Sequence, residues 1–214
     1  MTLPSIIEQA LKSESVESIA SALGEIGLDR LIDEGVGRDV PGVGSAIGMI
    51  KSFQSARERI EVEKLNDFLL GVGNTGYRER QDQIDRINGD PKYRQTVGRR
   101  IAEVLIRIDS DAKPEMVGRL FGAVLRRELD YDDFLELCFC IEQQYTGDLL
   151  AIKKRHNSGI DMEGLSDRLF TSGLLIAHNR KPDDAPEDDD WTSTPHYEPT
   201  ELGNLFIRHA FRPA

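Results

Sequence analysis

Residues 97–125, VGRRIAEVLIRIDSDAKPEMVGRLFGAVL, carry two helices separated by an acidic stop. Val97, Ile101, Val104, Leu105 and Ile108 recur at three and four residues, the spacing of one helical face. Asp109-Ser110-Asp111 ends that stripe. Pro114 then suits the first turn of a new helix, where the N–H that proline lacks has no intrahelical partner. The stripe resumes with Met116, Val117, Leu120, Phe121, Val124 and Leu125. A period near 3.6 with no alternation predicts helix on helix, and the same period extends both ways along the chain.

Upstream, the helix expected over Val16 to Asp33 presents Ile19, Leu23 and Ile26 on one side. Gly35 to Gly42 then breaks the period with three glycines and Pro41. A second helix is expected from Gly42 to Leu70. Gly44 and Gly48 sit four apart near its start, leaving one flank without side-chain bulk, so they are the expected site of a close helix contact or an oligomer contact. Gly71 to Gly76 is a break, Tyr77 to Ile87 a short charged helix, and Asn88-Gly89-Asp90-Pro91 a turn. Downstream, Tyr131 to Arg155 reads as one helix or a broken pair, with Gly147 at a kink. Met162 to Phe170 reads as helix and Leu174 to Ala177 as a short strand. A second extended piece spans Pro195 to Pro199, and Thr200-Glu201-Leu202-Gly203 opens a last helix. The expected fold class is therefore mainly all-α, a multi-helix bundle with a C-terminal winged-helix-like element containing a short β-hairpin. A helical region covers residues 1–130, and a helical and winged-helix-like region covers 131–214. Residues 181–191 form the acidic tip of the hairpin, with six acids and two prolines that solvate themselves and gain little by packing.

Composition narrows the function classes. The chain of 214 residues has 27 Lys+Arg against 38 Asp+Glu, a formal charge of −11. That balance opposes broad contact with a phosphate backbone, which relies on cations displacing counterions, so nucleic acid is not an expected partner class. No stretch reaches the roughly 20 apolar residues of a spanning helix. The amino terminus, MTLPSIIEQALKSES, lacks the basic start and apolar core of a secretory leader, which makes the cytoplasm the expected compartment. A membrane-surface role through residues 36–53 is the alternative.

Candidate chemistry fails on spacing. Gly42 to Ser52 has glycines followed by Lys51-Ser52, but Met49 and Ile50 separate the last glycine from the lysine that a phosphate loop needs directly after it. His156, His178, His196 and His209 have no two-on-one-face spacing for a metal and read as solvated loop residues. Cys138 and Cys140 on a helix point about 200° apart and read as core. The acids Asp109/Asp111, Asp132/Asp133 and Glu61/Glu63 read as solvated charge. No catalytic, cofactor-binding or metal-binding residue is expected, and no cofactor. Arg99, Arg100, Arg126 and Arg127 are the candidate contacts for an anionic partner, beside Lys153-Lys154-Arg155.

Three stretches carry a family resemblance: residues 29–48 from Asp29-Arg30-Leu31-Ile32-Asp33 to Gly48; residues 56–69 with Ala56-Arg57-Glu58-Arg59-Ile60 and Lys64-Leu65-Asn66-Asp67-Phe68-Leu69; and Tyr197 to Gly203. Together they resemble bacterial helical proteins of the abortive-infection alpha kind. Pro199 departs from the more apolar residue this pattern leads one to expect before the last helix. The resemblance implies a bacterial cytosolic protein linked to phage defence and carries over no catalytic residue. The expected function is a non-enzymatic interaction or sensing protein acting on a protein partner or on its own copy.

Overall fold

The computed structural model describes residues 2–25, 56–73, 75–109, 111–158, 166–178 and 196–211. Among them are ten helices and one two-stranded sheet: α1 Leu3–Leu11, α2 Val16–Glu25, α3 Ala56–Val72, α4 Tyr77–Gly89, α5 Val97–Arg107, α6 Lys113–Leu125, α7 Tyr131–Gln143, α8 Thr146–Ser158, α9 Ser166–Thr171, β1 Leu175–His178, β2 His196–Pro199 and α10 Glu201–Ala210. The chain is mainly helical with a short hairpin, as the periodicity predicts. Gly44 and Gly48, the stretch 36–53 and the acidic tip 181–191 lie outside the described residues.

The helix α1 is an addition to the expected set. Its nine residues bury Leu3, Ile6, Ile7, Ala10 and Leu11, a helical stripe too short to be stable without a partner. The partner is α5. A Cβ on Gly98 would lie 2.7 Å from the Pro4 carbonyl oxygen, so the two backbones meet where α5 has no side chain.

The centre of the fold is the crossing of α3 and α6. A Cβ on Gly118 would lie 2.0 Å from the Phe68 carbonyl oxygen, and one on Gly71 2.2 Å from that of Glu115. Gly122, one turn after Gly118, would meet the Val72 carbonyl oxygen at 2.6 Å. Only glycine allows this approach. Around it run Phe68, Phe121, Phe134 and Tyr131, with successive ring centroids 6.1, 5.4 and 5.6 Å apart. Tyr93 meets Tyr131 edge-on at 4.8 Å. This aromatic line leads from the core to the surface between α5 and α7.

Two buried cations lock the connections. Lys64 on α3 donates to the carbonyl oxygens of Leu105 at 3.1 Å and Ile108 at 2.5 Å, taking up carbonyls that α5 leaves open at its C-terminus. Arg80 on α4 is fully buried and donates to Leu11, Ser13 and Thr75.

At the C-terminal end the stretch expected as one helix or a broken pair is a pair, α7 and α8, with the break at Gln144-Tyr145 and Gly147 inside α8. Gly173 has a φ of +78°, the left-handed turn into the hairpin. The strands are antiparallel, with Leu175 opposite Pro199 and His178 opposite His196. Thr200 caps α10, its hydroxyl accepting from the Gly203 N–H at 3.0 Å and donating to the Gly173 carbonyl at 2.7 Å. A Cβ on Gly203 would lie 2.1 Å from the Leu174 carbonyl oxygen. The run Thr200-Glu201-Leu202-Gly203 is thus a cap followed by a close-approach glycine. α10 packs on α6 and α7, and Arg119 of α6 reaches the Ala210 carbonyl at its end, 3.3 Å away.

Candidate functional site

Helix α7 turns Phe134, Leu137, Cys138 and Ile141 into the core. Leu135, Phe139 and Glu142 form a second row at offsets of four and three, hence on one side of the helix. On α5 the residues Arg100, Val104 and Arg107 repeat the same offsets. The two rows face each other across a groove. Its narrow part, about 180 Å³, is lined by both rows and floored by Cys138. It widens into a cleft of about 380 Å³ lined by Lys92, Tyr93, Arg94, Gln95, Arg100, Tyr131 and Leu135. Phe139 stands at the other end, 64% exposed. Beyond it lies a further cleft of about 360 Å³ with Cys140, Gln144, Tyr145 and Ser172 in its walls. There the Gln144 Oε1 is buried without a hydrogen bond, and Tyr145 is 67% exposed.

The charges sort by position. Arg107 pairs with Glu142 at 2.8 Å and closes the narrow end. Arg99 and Arg100 share Glu103, at 3.3 and 3.6 Å. Lys92 pairs with Asp132, whose other oxygen accepts from the Tyr93 hydroxyl at 3.0 Å. These two donors hold the Asp132 carboxyl below the usual aspartate range. Burial pushes the neighbouring Asp133 up, with the carboxylates of Asp130, Glu136, Glu201 and Asp132 adding to the shift. Arg94 has no carboxylate partner among the described residues.

Two acid-base groups in the groove are moved away from neutrality. Burial raises Tyr131 and Cys138 strongly. Cys140, its thiol 3.1 Å from the Ser172 carbonyl oxygen, is pushed up to about 11. Both cysteines are buried, as expected for core residues. Among the described residues no group of three His, Cys, Asp or Glu could hold a metal ion, and no helix is long and apolar enough to cross a membrane.

Of the four arginines expected to meet an anionic partner, Arg100 lines the groove and Arg99 joins it through Glu103. Arg126 pairs with Glu128 at 3.2 Å in the connection between α6 and α7, and Arg127 takes a φ of +60° there. Neither lines these clefts. The solvated-histidine reading fails at His209, which α10 buries with its Nδ1 4.0 Å from Glu128. Leu135, Phe139, Tyr93 and Arg94 were not among the expected site residues. The available signal was Phe139 itself, an aromatic out of step with the inward stripe of its helix. Comparison with protein families, curated proteins and solved structures gives no match to this chain.

Proposed function

We propose that this protein is a non-enzymatic interaction protein that receives a protein partner in the groove between α5 and α7. The observation that carries the reading is the exposed Phe139 beside the partly buried Leu135 at the mouth of a long cleft. Aromatic residues, Phe among them, are enriched at interfaces relative to the rest of the surface. A general acid or base works best near the operating pH, and the Tyr131 hydroxyl and Cys138 thiol in the groove are shifted away from it by burial. The resemblance to bacterial proteins of the abortive-infection alpha kind supplies phage defence as the proposed setting.

The test is photo-crosslinking in the bacterial cytosol, with a benzophenone side chain at position 139 and, as control, at position 60, where exposed Ile60 lies on α3. One defined polypeptide, identified by mass spectrometry, captured at 139 and not at 60 supports the reading. Equal capture at both positions, or capture of lipid or nucleic acid alone, overturns it.

A further inference from the structure

We propose that the acidic cleft between α4 and the start of α7 is a binding site for a guanidinium group, the cation of an arginine side chain. The site is separate from the docking function proposed above and does not rest on it. The cleft measures about 410 Å³, and four of the residues lining it are acids: Asp90 in the turn after α4, and Asp130, Asp132 and Asp133 at the start of α7. Carboxylates at a helix N-terminus complement its dipole and by themselves imply no ligand. Gln83 of α4 does. It lines the same cleft, is only 4% exposed, and its Oε1 has no hydrogen-bond partner. An amide oxygen only accepts, so what this buried atom lacks is a donor.

The fold leaves two of the acids open. Asp132 is taken up by Lys92 and the Tyr93 hydroxyl, and Asp90 accepts the Lys92 backbone N–H at 2.9 Å. The carboxylates of Asp130 and Asp133 meet neither a cation nor a donor among the described residues. Burial and the neighbouring carboxylates raise Asp133, and an added cation would relieve that repulsion. Arg86, exposed on α4, also lines the cleft and pairs with no carboxylate among the described residues. Four acids against Arg86 and Lys92, with Lys92 already paired, leave the cleft negative.

The spread of the acceptors selects the kind of cation. No three acids among the described residues could hold a metal ion, so they do not converge on a point as a metal requires. An ammonium is likewise a compact point charge. A guanidinium presents five N–H donors in a planar fork, can serve one carboxylate with two of them and reach other acceptors with the rest. Asp130, Asp133 and the Gln83 Oε1 are such a set. The group can arrive on a small molecule or on a polypeptide. This cleft shares Lys92, Tyr93 and Tyr131 with the wide cleft of the groove, so an arginine of a docked chain would enter from that side.

The test is amide NMR of the full chain in physiological salt, titrated with blocked tripeptides that carry arginine, lysine or citrulline between two glycines. Citrulline is the neutral isostere of arginine. The arginine peptide should shift the Gln83 side-chain amide and the backbone amides of Asp130 to Asp133 saturably, with the lysine peptide at least fivefold weaker and the citrulline peptide at least tenfold weaker. Ethylguanidinium that binds as tightly as the arginine peptide assigns the site to a small molecule; weaker binding assigns it to an arginine of a polypeptide. Gln83→Met and Asp130→Asn should each weaken arginine-peptide binding at least fivefold, whereas Asp82→Asn, exposed on α4, should not. Arg86→Gln should strengthen it, because a competing cation is removed. Circular dichroism checks that each variant is folded, and Asp130→Asn carries the test alone if Gln83→Met is not. Equal binding of the lysine or citrulline peptide, shifts that do not saturate, or an Asp82→Asn effect as large as that of Asp130→Asn overturns the inference, as does weaker binding by Arg86→Gln. Failure here leaves the docking function standing, and failure of the crosslink at position 139 leaves this site standing.

Discussion

Arg80 donates from Nε to the carbonyl oxygen of Leu11 at 2.5 Å, joining residues 69 positions apart. The same guanidinium reaches Ser13 and both the carbonyl and hydroxyl oxygens of Thr75, so one buried side chain ties the end of α1 to the start of α4. Arg80→Met would leave those buried carbonyls without a donor, at about 1–3 kcal/mol for each one left unsatisfied. The expected loss is about 3 kcal/mol or more by urea unfolding. Arg80→Lys should recover only part of it, because an ammonium lacks the planar fork that serves several acceptors at once. Wild-type stability in Arg80→Lys would show that charge alone suffices here.

Gly118→Ala should be costly for one methyl group. The new Cβ falls 2.0 Å from the Phe68 carbonyl oxygen, so α3 and α6 must separate, at about 1–3 kcal/mol. Gly89→Ala is the control, since nothing lies within 4 Å of its Cβ position. It should be neutral or stabilising, by up to about 1 kcal/mol. Thermal melts of the two variants with opposite shifts confirm the contact.

Phe134 and Phe139 sit five residues apart on α7 and should behave oppositely. Phe134 is fully buried between the Phe121 and Tyr131 rings, and Phe134→Ala should cost about 3–5 kcal/mol. Phe139→Ser, at a largely exposed site, should change stability by no more than about 0.5 kcal/mol. A large loss in Phe139→Ser would mean the ring is part of the core and would remove it from the docking argument.

Asp132 and Asp133 should give opposite pH dependence. The carboxyl of Asp132 is lowered in the fold by Lys92 and Tyr93, so its contribution is present above the usual aspartate range and lost as pH falls through its folded value. Asp133 is raised by burial and neighbouring acids. Its ionisation costs stability as pH rises, and the cost disappears on protonation. Relative to wild type, Asp132→Asn should lose stability as pH rises through the region below the ordinary aspartate value, whereas Asp133→Asn should gain it as pH rises through the region above that value. The gain is reduced by the small benefit that a carboxylate brings to a helix N-terminus. Chemical unfolding across both regions, with the two differences of the same sign, would refute the assignment.

Thr200→Ala should cost about 1 kcal/mol, the usual value of a lost cap. It should also loosen the hairpin, because the Thr200 hydroxyl holds the Gly173 carbonyl at 2.7 Å. Faster amide exchange in β1, with the α3 and α6 amides unchanged, is the expected signature. Thr200→Ser should restore protection.

What the sequence determined by itself was local. The stripes at 97–108 and 116–125, the stop at Asp109, the proline start of α6 and the Thr200 cap are each written within one or two helical turns, and all appear as read. A helix as short as α1 escapes such reading, because its stripe gains stability only against α5. The glycine contact expected at Gly44 and Gly48 lies outside the described residues, and Gly71, expected in a break, lies inside α3; what places close packing at Gly71, Gly118 and Gly122 is the partner backbone, whose carbonyls at Phe68, Glu115 and Val72 leave no room for a Cβ. The groove was legible only in part. Arg100 carried a recognisable charge, and the rows 100/104/107 and 135/139/142 each have helical spacing. That these rows face each other, with Phe139 left in water, depends on how α5 and α7 pack around the α3–α6 crossing. Side-chain period is a property of one helix and is encoded locally; the pairing of helix faces comes from long-range packing and was decided only in the tertiary structure.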